Sequence, residues 1–161
     1  LHVLIVDDER AVIKILRNML TNFGITQIMV AHDGLEAAKF LEDCGDKINL
    51  IICDWNMPHM NGFDLLRKIR ASDPHKAFVM LTGFATHDMI REAKQLNVSA
   101  FIAKPFSQDE IRKKLELIAR KIVRHRTGDS PWIAAGATWH LTGFGRQPTR
   151  AEVEAAIGAG P

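Results

Sequence analysis

Residues 50–62 read LIICDWNMPHMNG. Four apolar residues, Leu50, Ile51, Ile52 and Cys53, stop at one acid, Asp54, and a turn-rich stretch with Pro58, Asn61 and Gly62 follows. An aspartate after a strand is ordinarily a turn former or a helix cap, so this stretch alone decides little. It gains meaning because other apolar runs in the chain end in the same way. Runs of about this length recur at 2–6, 26–31, 49–53, 77–81 and 100–103. Such short, nearly continuous apolar runs suit strands buried on both faces.

Between the runs lie segments with helical spacing. In 9–23, Val12, Leu16 and Met19 are expected on one face with Ile15, and Lys14, Arg17 and Asn18 lie elsewhere. Gly24 reads as its C-cap. Segments 35–44 and 63–71 repeat the pattern behind the N-caps Asp33 and Asn61. Segments 86–96 and 107–124 complete the set, the last opening on a Ser107/Glu110 capping box. Strands alternating with helices predict an α/β protein, a five-stranded parallel sheet with helices on both faces. The common strand order for this pattern is 2-1-3-4-5.

At 161 residues the chain has room for one packed domain and an appendage. A hydrophobic content of 47% with 25% charged residues is that of an ordinary globular protein, and a net charge of +2 neither requires nor excludes an acidic partner. Cys44 and Cys53 form no C-x-x-C pair and no disulfide framework, which favours reduced thiols and a cytoplasmic location. No apolar stretch approaches the roughly 18 residues that span a membrane. The chain opens on Leu1, already inside the first strand, so a few residues are expected upstream.

The first strand ends Val6-Asp7-Asp8, the third Cys53-Asp54, the fourth Leu81-Thr82 and the fifth Ala103-Lys104-Pro105. In an open parallel sheet these carboxyl ends share one edge, where ligands bind at the topological switch point. With neighbouring strands about 4.8 Å apart, the groups converge within roughly 10–15 Å. Three crowded carboxylates must share protons or hold a cation. An all-oxygen set without Cys or His points to a hard ion, best Mg²⁺. Lys104 offers a point charge for a phosphoryl group and Thr82 a hydroxyl. A carboxylate can itself serve as the nucleophile and become an aspartyl phosphate.

VDDE, CDWNMPHMNG, LTGFA and AKPF occur in that order, and with them residues 1 to about 124 resemble the receiver domain of two-component response regulators. CDWNMP is especially similar to single-domain chemotaxis regulators. The resemblance implies a flavodoxin-like doubly wound (βα)5 fold in which Asp54 is the phosphoacceptor, charged by a sensor histidine kinase, a histidine phosphotransfer protein or a small acyl phosphate. It implies Mg²⁺ held by Asp8, Asp54 and the backbone carbonyl of Asn56, with Asp7 acting partly through water. Thr82, Gly83 and Lys104 would bind the phosphoryl group, and the Lys104–Pro105 bond would be cis. Thr82 and Phe101 would form the switch, reshaping the surface of the fourth helix, fifth strand and fifth helix. Such a domain is a signalling switch that catalyses its own phosphorylation and dephosphorylation, not a turnover enzyme.

Departures from the common pattern bear on tuning. Phe101 lacks the hydroxyl of the tyrosine found in many relatives, and Gly83 stands where Ala is frequent. Phe84 is large and apolar where some relatives carry an acid, and is expected to shield the acyl phosphate. Asn56 would oppose it by positioning water.

The domain is expected to span 1–126, and 127–161 to form a tail rich in Gly and Ala. That tail carries Trp132, Ile133, Trp139, Leu141 and Phe144, and a short helix over 149–157. Docking of the tail on the output face, with release on phosphorylation, is one reading of these apolar residues. It is short of a winged-helix domain, and Arg112, Lys113, Lys114, Arg120, Lys121, Arg124 and Arg126 read as a solvated helix face, so no direct nucleic-acid binding is expected. Two outputs stay open, a stand-alone switch docking a partner protein and a phosphorelay intermediate. A truncated longer regulator, an unphosphorylated scaffold and a homodimer are further alternatives.

Overall fold

The computed structural model describes residues 1–127. The 149–157 helix and the docking of the tail fall outside the described residues. The elements run β1 (His2–Val6), α1 (Arg10–Asn22), β2 (Gln27–Ala31), α2 (Gly34–Cys44), a 3-10 turn (Gly45–Lys47), β3 (Leu50–Asp54), α3 (Gly62–Ser72), β4 (Ala77–Thr82), α4 (His87–Gln95), β5 (Ala100–Ala103) and α5 (Gln108–Thr127). The sheet is wholly parallel in the order β2-β1-β3-β4-β5, as the alternation of the sequence predicts.

Period-two alternation divides the core into two layers. Val3 and Ile5 of β1, Leu50 and Ile52 of β3, Val79 and Leu81 of β4 and Ile102 of β5 face α1 and α5. Leu4 and Val6, Ile51 and Cys53, and Phe78 and Met80 face α2, α3 and α4. The central strands β3 and β4 are buried along their whole length, whereas the edge strands β2 and β5 are only partly covered.

Helix starts follow the capping chemistry read from the sequence. The Asp33 carboxylate accepts from the Glu36 amide at 2.8 Å and Asn61 from Asp64 at 2.8 Å, and Thr86, a cap not read from the sequence, accepts from Met89 at 3.2 Å. Ser107 and Glu110 satisfy each other's amides, at 2.9 and 3.2 Å. Gly24 takes the left-handed φ of 81° that ends α1. The face of α1 differs from expectation. Ile13, Leu16 and Leu20 are the buried residues, Val12 and Met19 only flank them, and Ile15 is 47% exposed. At 3.6 residues per turn Ile15 lies about 130° around the helix from the centre of the buried stripe.

Candidate functional site

Alternation also sets which strand-end side chains meet. Asp54 continues the face of Leu50 and Ile52, and Asp7 that of Val3 and Ile5. Lys104 continues the face of Ile102, so all three share the α1/α5 side. Pairing of Val6 with Cys53, extended by one residue, places Asp7 beside Asp54. The pairing of β1 with β2 carries on past its last strand residue, since the Asp7 amide donates to Ala31 O at 3.2 Å.

The acids converge more closely than strand spacing alone required. Carboxylate oxygens of Asp7, Asp8 and Asp54 all lie within 4.8 Å of one another. Asp7 and Asp54 are buried and Asp8 is exposed. Lys104 Nζ sits 3.0 Å from Asp7 Oδ2 and 3.0 Å from Asp54 Oδ1, with Glu9 at 3.5 Å. Burial pushes the Asp7 and Asp54 carboxyls above the usual aspartate range, against the pull of Lys104. Burial opposes the Lys104 charge too, but hydrogen bonds to Asp54 and Asp7 outweigh it and raise its pKa to about 12. The site is therefore two buried, reluctant carboxylates, Asp7 and Asp54, bridged by a firmly protonated ammonium, with the exposed Asp8 beside them.

The remaining strand-end residues surround this cluster without all touching it. Thr82 is buried at the end of β4, on the layer that faces α4. Its hydroxyl donates to Phe84 O at 2.6 Å and accepts from Phe84 N at 3.1 Å. Phe101 is half-buried in that same layer. Phe84 is 72% exposed and Asn56 is exposed in the β3–α3 loop. A Cβ at Gly83 would meet nothing within 4 Å. The Lys104–Pro105 peptide bond is cis, and the Lys104 amide donates to Thr82 O at 2.8 Å.

Two glycines that position the site were not singled out from the sequence. A Cβ on Gly62 would run into the Asp54 carbonyl oxygen and come within 3.0 Å of Met80 Sδ. The Gly62 amide donates to Trp55 O at 2.9 Å, drawing the start of α3 onto the end of β3. Gly34 brings α2 similarly close to the carbonyl of Met60. The available signal was a glycine at the first position of each helix, where other residues are better helix formers. Trp55 is also buried next to Asp54, stacked on Phe63 at 5.6 Å, and Arg67 lies over the Phe63 ring at 4.7 Å.

Fold and site together define a doubly wound α/β protein whose carboxyl edge carries an acidic cluster countered by one lysine. Comparison with known proteins makes the class specific. Residues 3–116 match the response regulator receiver domain family. The chain is 36% identical over 124 residues to the chemotaxis protein CheY of Pseudomonas aeruginosa, covering 76% of this chain and 98% of that protein. It is 37% identical to chemotaxis protein CheY-3 of Vibrio cholerae, covering 76% and 94%. Among solved structures it superposes on CheY of Borrelia burgdorferi in a CheX–CheY–BeF3–Mg complex with a TM-score of 0.70 and 26% identity, covering 73% and 87%. The chain belongs to the response regulator receiver family, and within it is most similar to the chemotaxis-type regulators. Proteins of this class are signalling switches of two-component systems, not enzymes that turn over an external substrate.

Proposed function

We propose that Asp54 accepts a phosphoryl group in a Mg²⁺-dependent reaction and that the charge so created drives the switch. The observation that carries this reading is Lys104 Nζ shared at 3.0 Å between Asp54 and Asp7, beside an all-oxygen cluster with Asp8. Those donors fit a hard dication, since three carboxylates crowd a single lysine. Asp7, Asp8, Asp54 and the Asn56 carbonyl would hold the ion, which supplies charge neutralisation for phosphoryl oxygens when bound. Asp54 then attacks phosphorus through a carboxylate oxygen, and the donor's histidine nitrogen or acyl oxygen leaves with its electron pair. Lys104 steadies the oxygens of the transferred group, and Gly83 leaves open space at the end of β4.

Phosphorylation adds about one to two negative charges at this edge. Thr82 responds by exchanging its bonds to the Phe84 backbone for the phosphoryl oxygens, which frees the loop leading into α4. Phe101 then moves inward on the same layer, and the α4–β5–α5 face changes shape for a partner protein. The donor is a sensor histidine kinase or a histidine phosphotransfer protein, and the setting is the cytoplasm. No helix among the described residues is long and apolar enough to cross a membrane.

Intact mass after incubation with Mg²⁺ and acetyl phosphate tests the reading. An adduct in wild type, absent in Asp54→Ala and after chelation, is expected; an equal adduct in Asp54→Ala refutes it. A phosphorelay role is the second reading, favoured by the apolar Phe84 at the rim. Phe84→Glu is expected to speed loss of the adduct several-fold, and an unchanged decay removes Phe84 from hydrolysis control.

A further inference from the structure

Leu117 of α5 is 60% exposed, on the side of the helix away from Ile111, Leu115 and Ile118, which are buried against the sheet. Its neighbours at i−4, i−3, i+3 and i+4 are Lys113, Lys114, Arg120 and Lys121, all exposed. Those four positions surround a helical side chain, so the leucine stands on a convex ridge with cations on both sides along the helix. Glu116 is the one acid between Ile111 and Ile122, and it is half-buried. Glu110 is committed to the amide and hydroxyl of Ser107, which, with Lys114 and Lys113 nearby, hold its carboxyl below the usual range. The same layer carries α1, where Arg10, Lys14 and Arg17 are exposed and no acid occurs between Arg10 and Asn22. On the other layer three exposed helical cations have acid partners, Arg67 with Asp64, Lys68 with Glu42 and Arg91 with Asp88. Among the described residues, none of the four cations around Leu117 is in a salt bridge.

We propose that this ridge attaches the domain reversibly to an anionic lipid surface, with Leu117 entering between the headgroups and the surrounding cations lying on them. The chemistry of the ridge selects this occupant. Each Lys or Arg held near an anionic bilayer strengthens binding about fivefold, and a leucine leaving water adds about tenfold. Lysine and arginine keep their charges at headgroup level while their stems cover apolar neighbours, so a leucine ringed by them suits that depth. A bilayer moulds itself to a convex ridge, whereas a bound peptide would need a groove to receive it. A nucleic-acid backbone would use the cations but gain nothing from the leucine. The unpaired cations of α1 on the same layer add to the attraction, which acts over about a Debye length. One leucine and a few charges make attachment reversible and sensitive to salt. Neither Asp54 nor Lys104 takes part, so attachment stands independently of the phosphoryl chemistry.

Co-sedimentation of the full chain with vesicles of equimolar phosphatidylglycerol and phosphatidylcholine, against phosphatidylcholine alone, tests the proposal. Binding to the anionic vesicles only is expected, weakening as salt is raised. Lys113→Gln with Lys121→Gln should lower the affinity by about 20-fold, and Leu117→Gln by about tenfold with the salt dependence unchanged. No binding, or equal binding to both kinds of vesicle, overturns the proposal. Binding that survives the lysine substitutions arises elsewhere in the chain and overturns it too. An affinity indifferent to Leu117→Gln overturns it as well, and displacement from the vesicles by duplex DNA would then make the ridge a nucleic-acid surface.

Discussion

Gly62→Ala offers a sharp test of how the fold builds the phosphoacceptor edge. The added methyl would overlap the Asp54 carbonyl oxygen and approach Met80 Sδ to 3.0 Å and the Asp54 carbonyl carbon to 3.2 Å. Two of those atoms are backbone at the end of a fully buried strand, so relief requires α3 to move away from β3. Overpacking of this kind costs about 1–3 kcal/mol, and backbone neighbours place it near the top of that range. Alanine recovers at most about 1 kcal/mol over glycine through helix propensity. The net loss is about 2 kcal/mol, or about 4–8 °C in Tm for a chain of this size. Urea unfolding followed by circular dichroism measures it through the midpoint at constant slope. Gly83→Ala is the matched control, because a Cβ there meets nothing within 4 Å, and it should change stability by less than about 0.5 kcal/mol. Acetyl phosphate labelling of Gly62→Ala should slow by tenfold or more, since a displacement of about 1 Å at a reacting group can cost about 100-fold. A Gly62→Ala protein within 0.5 kcal/mol of wild type, or a Gly83→Ala protein equally destabilised, refutes the packing argument.

Lys104→Met removes the ammonium shared by Asp54 and Asp7. Phosphoryl uptake should fall by about 10²–10³-fold at saturating Mg²⁺, and a loss under threefold in a labelling time course would count against Lys104 as the phosphoryl clamp. The raised carboxyls of Asp7 and Asp54 also set a pH dependence. Their folded pKa values exceed the unfolded value of 3.8, so metal-free stability should decline as pH climbs from that value through the raised ones. Mg²⁺ must displace those protons, so its affinity should fall as pH drops through the same window; calorimetric titration showing affinity rising on acidification would contradict this.

Much of this was legible because strand ends are one-dimensional features. Asp7, Asp54, Thr82 and Lys104 each terminate an apolar run, and parallel topology collects such ends on one edge. Their division into two layers follows from alternation but was not part of the sequence reading, which gathered Thr82 with the acids; in the structure Lys104 shares the parity of Ile102 and Thr82 that of Met80. Helix faces were harder. The six large apolar residues of α1, Val12, Ile13, Ile15, Leu16, Met19 and Leu20, fit more than one stripe, and only the position of the sheet selects Ile13, Leu16 and Leu20 over Ile15. Close approaches were hidden altogether, because Gly34 and Gly62 owe their role to atoms from other segments, Met60 and Asp54.

The central claim is that Asp54, among acids within 4.8 Å of one another, is the group that accepts phosphorus. Borohydride reduces an aspartyl phosphate to homoserine, so peptide mass spectrometry of the trapped, acetyl phosphate-treated protein reads the acceptor directly. Homoserine at position 54 alone is the predicted result. Homoserine at position 7 or 8, or an unmodified position 54 in protein that carries the phosphoryl mass, would contradict it.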